Sequence, residues 1–217
     1  PHSFNLGAVS AMPKNGSGLH SHTTAEVFLI FSGKWKFYWG ADGKHNTILN
    51  AGDIISMPTN MFRGFENVGD KEGLIFVVLG KDDPGIITWV PDVLNKAKKT
   101  GMALLDDNSL IDLSNEKMPE GKNLLKPINE EEIKNFDNYT ESEFNAFISR
   151  SNERLTSEFK LGNGFVCAQI IGNNFQNKIN EPAIKHITGF NLNILKAKKG
   201  MIEKLNFKKP TVMFSQK

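Results

Sequence analysis

Gly18-Leu19-His20-Ser21-His22-Thr23-Thr24-Ala25-Glu26, followed by the apolar run Val27-Phe28-Leu29-Ile30-Phe31 and by Gly33, decides how this chain is read. In an extended strand, residues two apart share a face, so His20 and His22 project together. Glu26 lies an even number of residues further on and reaches the same interior. Two imidazoles and one carboxylate with open positions suit Fe(II), Mn(II), Ni(II) or Zn(II). A His-x-His pair alone is common by chance. The glutamate at this spacing, the glycine after it and the strand–turn rhythm around it make the pattern informative. The bland alternative is two surface histidines near a glycine-rich turn, with Glu26 merely paired to Arg63 inside a barrel.

Outward from this stretch, residues 4–80 read as short strands broken by frequent turns, the rhythm of an antiparallel sandwich or barrel. Ser32-Gly33-Lys34 turns the chain into Trp35-Lys36-Phe37-Tyr38-Trp39, whose large rings on one face alternate with Lys36 and Tyr38. Such rings pack in a core or an interface more often than they line a cofactor site. Asp42-Gly43 and Ala51-Gly52-Asp53 are further turns. Ile54–Met57 and Leu74–Leu79 complete the strands.

Beyond residue 80 the character changes. Pro91 suits a first helical turn and Gly101 a helix end, while residues 102–127 read as an extended connector. Asn129 caps a helix opened by Glu130-Glu131-Glu132, a solvated start. A second helix is expected from about Ser142 to Phe159, with Phe144, Phe147, Ile148 and Leu155 at helical spacing. Strand-like sequence returns at Phe165–Ile171, where Cys167 sits in an apolar run and is expected to be buried and inert.

Phe4-Asn5-Leu6 recurs as Phe190-Asn191-Leu192, and Val27-Phe28-Leu29 can be laid against Val212-Met213-Phe214. In that register Leu205, Phe207 and Thr211 stand opposite His20, His22 and Glu26. The second copy thus lacks ligands, and it reaches Lys217 with only about half of the first copy's strands. A fragment of a longer two-barrel protein is the expectation, and Pro1, not an initiator methionine, points the same way. His2 and His186 precede the two repeats and suit structural roles; His45 follows a hairpin turn and is expected to be exposed.

The quoted motifs resemble those of the cupin superfamily. The family's first motif is matched by His20, His22, Glu26 and Gly33, with its leading glycine displaced to Gly16 or Gly18. In the second motif Gly52, Pro58 and Asn67 match, Asn60 stands where the family has glycine, and Arg63 replaces the last histidine. The resemblance implies a mostly β fold: a cupin double-stranded β-helix (jelly-roll) barrel over 1–80. A helical connector at 81–160 and a partial second barrel at 161–217 complete that layout. It also implies a metal held by His20, His22 and Glu26.

Arg63 is the departure that matters. A guanidinium stays protonated and offers no lone pair, so it cannot ligate a metal. Close to the metal it would repel a dication or pair with Glu26, leaving a weakened or absent metal. Set slightly back, it would hold an anionic substrate by a two-pronged contact. The leading expectation is a metal-dependent, dioxygenase-like oxidoreductase acting on a small molecule. His20, His22 and Glu26 would hold the divalent metal (Fe, Mn, Ni or Zn), Arg63 the substrate, and Phe28, Phe37 and Phe65 the pocket walls. Its rival is a non-catalytic cupin with a degenerate site that serves as a binding or structural protein.

Bulk properties narrow the partners. The 217 residues carry a formal charge of +2, too little to argue for nucleic acid or an acidic membrane. A single cysteine excludes an intrachain disulfide and a cysteine zinc site, and a cytoplasmic setting is expected. No window is long and apolar enough to cross a bilayer. Pairing of barrels into a homodimer would suit the aromatic strand.

Overall fold

The computed structural model describes residues 3–154, 158–160, 164–172, 181–186, 188–200, 205, 209 and 211–213. The chain is mostly β. Its strands are β1 (Asn5–Ala11), β2 (Gly16–His22), β3 (Glu26–Ser32), β4 (Lys34–Trp39), β5 (His45–Asn50), β6 (Ile54–Met57), β7 (Arg63–Asn67), β8 (Gly73–Leu79) and β9 (Ile87–Trp89). They continue with β10 (Met102–Leu104), β11 (Leu110–Asp112), β12 (Ile148–Ser149), β13 (Glu158–Lys160), β14 (Phe165–Ile171) and β15 (Leu192–Ala197). Two five-stranded sheets form the jelly roll, in the orders β1-β8-β3-β6-β12 and β5-β4-β7-β2-β9.

Alternation along the strands puts one side chain in two between these sheets. Trp35, Phe37 and Trp39 of β4 are fully buried there with Phe28, Ile30, Ile55, Met57, Phe65 and Ile75. The rings of Trp35, Phe37 and Trp39 are therefore core. The turn from β3 to β4 needs a left-handed residue, and Gly33 supplies it at φ +88. A Cβ there would come within 2.9 Å of the Gly73 backbone. Asn60, standing where the family has glycine, is itself left-handed at φ 56, a conformation asparagine tolerates better than most residues. Asn67 is wholly buried, donates to the carbonyls of Ala11 and Lys71 at 2.8 Å each, and accepts from the Gly69 amide.

The sheets take strands from beyond residue 80. β9 pairs with β2, and β12 pairs with the open side of β6. The helix expected over Ser142–Phe159 is corrected accordingly. Among the described residues of this stretch, α-helix covers Glu141–Phe144 and continues as a 3-10 turn to Phe147 before the chain becomes β12. The apolar spacing that suggested a helix has another origin. Phe144 stacks on Trp39 with ring centroids 4.2 Å apart, Phe147 packs on Tyr139, and Ile148 pairs with Ile55. Arg154 then donates to the carbonyls of Gly52 and Ser149, and Asp53 accepts from the Ser151 amide. An otherwise unpaired strand edge captures this segment and overrides its helical period. Leu155 lies outside the described residues.

α1 (Pro91–Lys99) and α2 (Glu130–Ile133) form as expected at Pro91 and Asn129, the latter with a complete capping box. Residues 102–112, within the expected connector, form the β10–β11 hairpin. Leu19, Phe62 and Val90 pack with Val93, Ile133 and Phe136 on the outer side of the β2 sheet. On the other sheet, Val27 and Ile54 pack with Ala168, Ile170, Ile171 and Ile184. Those residues come from or adjoin a third sheet of order β13-β14-β15. Cys167 is buried within it, and burial pushes its thiol up to about 12. His186, between these layers, shares a 2.7 Å hydrogen bond with Ser56 Oγ. Among the described residues, no helix is long and apolar enough to cross a membrane. His2, Phe207 and Phe214 lie outside the described residues.

Candidate metal centre

β2 runs between β7 and β9, and its inward face carries His20 and His22 while Leu19 points outward. The register between β2 and β7 shifts after Ser17, so that His20 stands opposite Arg63. Such an irregularity re-aims side chains, and here it lies immediately before the first histidine. Glu26 opens β3 from the facing sheet. One ligand atom from each of His20, His22 and Glu26 lies within 4.8 Å of the others. All three side chains are buried.

The histidine tautomers follow from their partners. His20 Nδ1 lies 2.8 Å from the Gly18 carbonyl, and His22 Nδ1 lies 3.0 Å from that of Pro84. A carbonyl only accepts, so both Nδ1 atoms carry hydrogen. In the neutral rings both Nε2 lone pairs are then bare. Burial, with help from the nearby Arg63 charge, pulls His20 down to about 4. Burial lowers His22 as well, against the opposing pull of Glu26. Two neutral imidazoles anchored through Nδ1, with a carboxylate beside them, make a donor set that fits a divalent cation.

Arg63 is wholly buried, and its Nε and Nη2 donate to the same oxygen, Oε2, of Glu26 at 3.2 and 3.0 Å. Nη1 donates to the Met61 carbonyl at 3.2 Å. Arg63 thus makes the contact with Glu26, one of its two expected roles. Burial lowers its pKa while Glu26 raises it, and a guanidinium keeps its proton throughout. His22 Nε2 is 3.9 Å from the same Glu26 oxygen.

Below this layer lies an apolar one. Phe28, two residues beyond Glu26, packs on Phe37 and Phe65 with centroids 5.1 and 5.4 Å away; Phe65 is two residues beyond Arg63. Trp39 stands opposite Arg63 and Phe37 opposite Phe65. His45 stacks on Trp39 and is not among the clustered ligand residues.

The segment that borders the histidines carries no local mark of that role in the sequence. Residues 80–89 return across β2: Thr23 N donates to the Ile86 carbonyl, and the Trp89 ring lies 4.9 Å from that of His20. Pro84-Gly85 is a legible turn signal, but nothing local tells that its carbonyl reaches a histidine 62 residues earlier.

Residues 8–79 match the family model described as "Cupin domain", in agreement with the motifs. Among solved structures, the chain resembles an uncharacterized conserved protein with a double-stranded β-helix domain from Klebsiella pneumoniae subsp. pneumoniae MGH 78578. The identity is 20% and the TM-score 0.37, over 41% of this chain and 75% of that one. It also resembles an oxalate oxidase (21% identity, TM-score 0.38, 42% of this chain and 48% of that one). A third is the DMSP lyase DddQ from Ruegeria pomeroyi DSS-3 (18%, 0.36, 41% and 44%). The matched part therefore spans less than half the length of either enzyme. No curated protein matches the sequence.

Proposed function

We propose that the cupin domain is a metal-dependent small-molecule enzyme, with His20, His22 and Glu26 as its metal ligands. The observation that carries this reading is the anchoring of both Nδ1–H groups on backbone carbonyls, which leaves two bare Nε2 atoms beside a carboxylate. A bound divalent metal would supply Lewis-acid polarisation of a substrate oxygen or redox chemistry with dioxygen.

The chain's own residues do the rest. Arg63 takes up one oxygen of Glu26, fixing the plane of the carboxylate. It also adds one positive charge to the two of a metal, against a single negative charge on Glu26. Such an excess in a buried site favours an anionic substrate or a bound hydroxide. In this reading Phe28, Phe37 and Phe65 supply the apolar floor, and Arg63 attracts the substrate as well as holding Glu26.

Residues 161–217 belong to the same proposal as a second cupin-like unit without ligands. Both Phe-Asn-Leu copies lead into edge strands, β1 and β15, and positions 205 and 211 are leucine and threonine. One metal per chain is then expected. Elemental analysis after incubation with Fe(II), Mn(II), Ni(II) or Zn(II) and dialysis tests both points. Wild-type protein should retain one ion, and His20→Ala/His22→Ala none. Metal-free wild type would end the reading, and two ions per chain would end its second part.

A specific observation favours a second reading, a non-catalytic cupin that binds a small molecule. The double contact from Arg63 already gives Glu26 a full counter-charge, so the buried pair is balanced without a metal. Failure to retain any ion would favour it.

A further inference from the structure

His20 and His22 are anchored in different ways. The carbonyl holding His20 belongs to Gly18, two residues away on the same strand, and Ser17 Oγ lies 3.2 Å from the same Nδ1. His22 depends on Pro84, on a segment that must first be laid across β2.

That segment is docked at both ends. Gly80 N donates to the Ala25 carbonyl at 2.8 Å, Ile86 N donates to Thr23 Oγ1 at 3.0 Å, and β9 pairs with β2. Pro84 itself is exposed, and the peptide that carries its carbonyl is held on its amide side by Gly85 N, which donates to Asp83 Oδ1 at 2.8 Å. The carbonyl oxygen is gripped by Thr24, a side chain with almost no exposure, whose hydroxyl donates to Pro84 O at 2.7 Å. The carbonyl has two lone pairs, and Thr24 and His22 take one each.

We propose that Thr24 is a positioning residue for the metal site: its hydroxyl orients the Pro84 carbonyl, and that carbonyl holds His22 in the Nδ1–H tautomer with Nε2 facing Glu26. This rests on His22 being a ligand. Without the hydroxyl, the Pro84 oxygen loses one of its two side-chain donors, and the imidazole is freer to flip or exchange tautomer. Partners one step out from a ligand commonly govern metal affinity by about tenfold or more.

The test uses wild type, Thr24→Val, which keeps the shape, and Thr24→Ser, which keeps the hydroxyl. Nitrogen-15 NMR of the histidine rings in metal-free protein reads the tautomer directly, and Zn(II) titration reads affinity. Wild type and Thr24→Ser should show a single Nδ1–H form for His22. Thr24→Val should show a mixture and bind Zn(II) about tenfold more weakly. Should Thr24→Val not fold, Thr24→Ala carries the same two measurements. A single Nδ1–H form in the variant lacking the hydroxyl would overturn the proposal, as would unchanged Zn(II) affinity there. If no form binds Zn(II), the metal reading fails while the tautomer measurement still decides the role of Thr24.

Discussion

Arg63 donates twice to one oxygen of Glu26, at 3.2 and 3.0 Å, and both residues are buried between the sheets. The arginine stands opposite His20 in the strand register. The position where the resemblance leads one to expect a further ligand thus holds a cation that grips one of the proposed ligands instead.

Breaking this pair from one side should be costly. Glu26→Ala leaves a guanidinium buried without a counter-charge, a loss of about 3–5 kcal/mol. Replacing both residues, as in Glu26→Leu/Arg63→Met, should recover most of that loss, because two buried charges vanish together. Urea unfolding of the three proteins checks this; a double variant no more stable than Glu26→Ala would contradict it.

Arg63→His should strengthen metal binding. The change removes a positive charge beside the site and offers a fourth donor from the strand facing His20. A gain of about tenfold or more in Zn(II) affinity is expected, about 1.4 kcal/mol or more. Calorimetric titration of variant and wild type measures it, and equal affinities would show that Arg63 does not limit the site.

The metal-free protein should lose stability as pH falls from 6.5 toward 4. His20 is held near 4 in the folded chain, against an ordinary 6.5, chiefly by burial. Between these values the unfolded chain binds the proton and the folded chain does not, so stability rises with pH across this window. The His20 contribution, on the order of 3 kcal/mol, is fully present above 6.5 and gone below about 4. Urea midpoints at several pH values check this, and the slope should shrink in His20→Asn.

Phe144→Ala should destabilise the barrel by about 3–5 kcal/mol, as for other buried rings. Phe144 is fully buried and stacked on Trp39, whose indole N–H donates to the Tyr139 carbonyl. A loss below 1 kcal/mol would mean that residues 136–149 are a separable connector.

Much of this architecture was legible in the residues. The two-residue period of β2 put His20 and His22 on one face, and the glycines at 33 and 52 marked turns that need a left-handed backbone. Arg63 could be seen to be unfit as a ligand, because that follows from its chemistry alone. What could not be read was pairing across long stretches of chain. Phe144, Phe147 and Ile148 have the spacing of a helix face, yet β6's open edge takes Ile148 into a sheet. Pro84 and Trp89 look like connector residues until β9 lies along β2 and brings them to the histidines. Local periodicity carries no information about either partner.

X-ray absorption spectroscopy of protein loaded with Zn(II) or Mn(II) tests the central claim most directly, because it counts imidazoles at the metal. Two imidazole ligands are expected in wild type and one in His22→Gln, with the remaining neighbours oxygen. A metal surrounded by oxygen alone, or a count unchanged by His22→Gln, would contradict the assignment of His20, His22 and Glu26 as the metal centre.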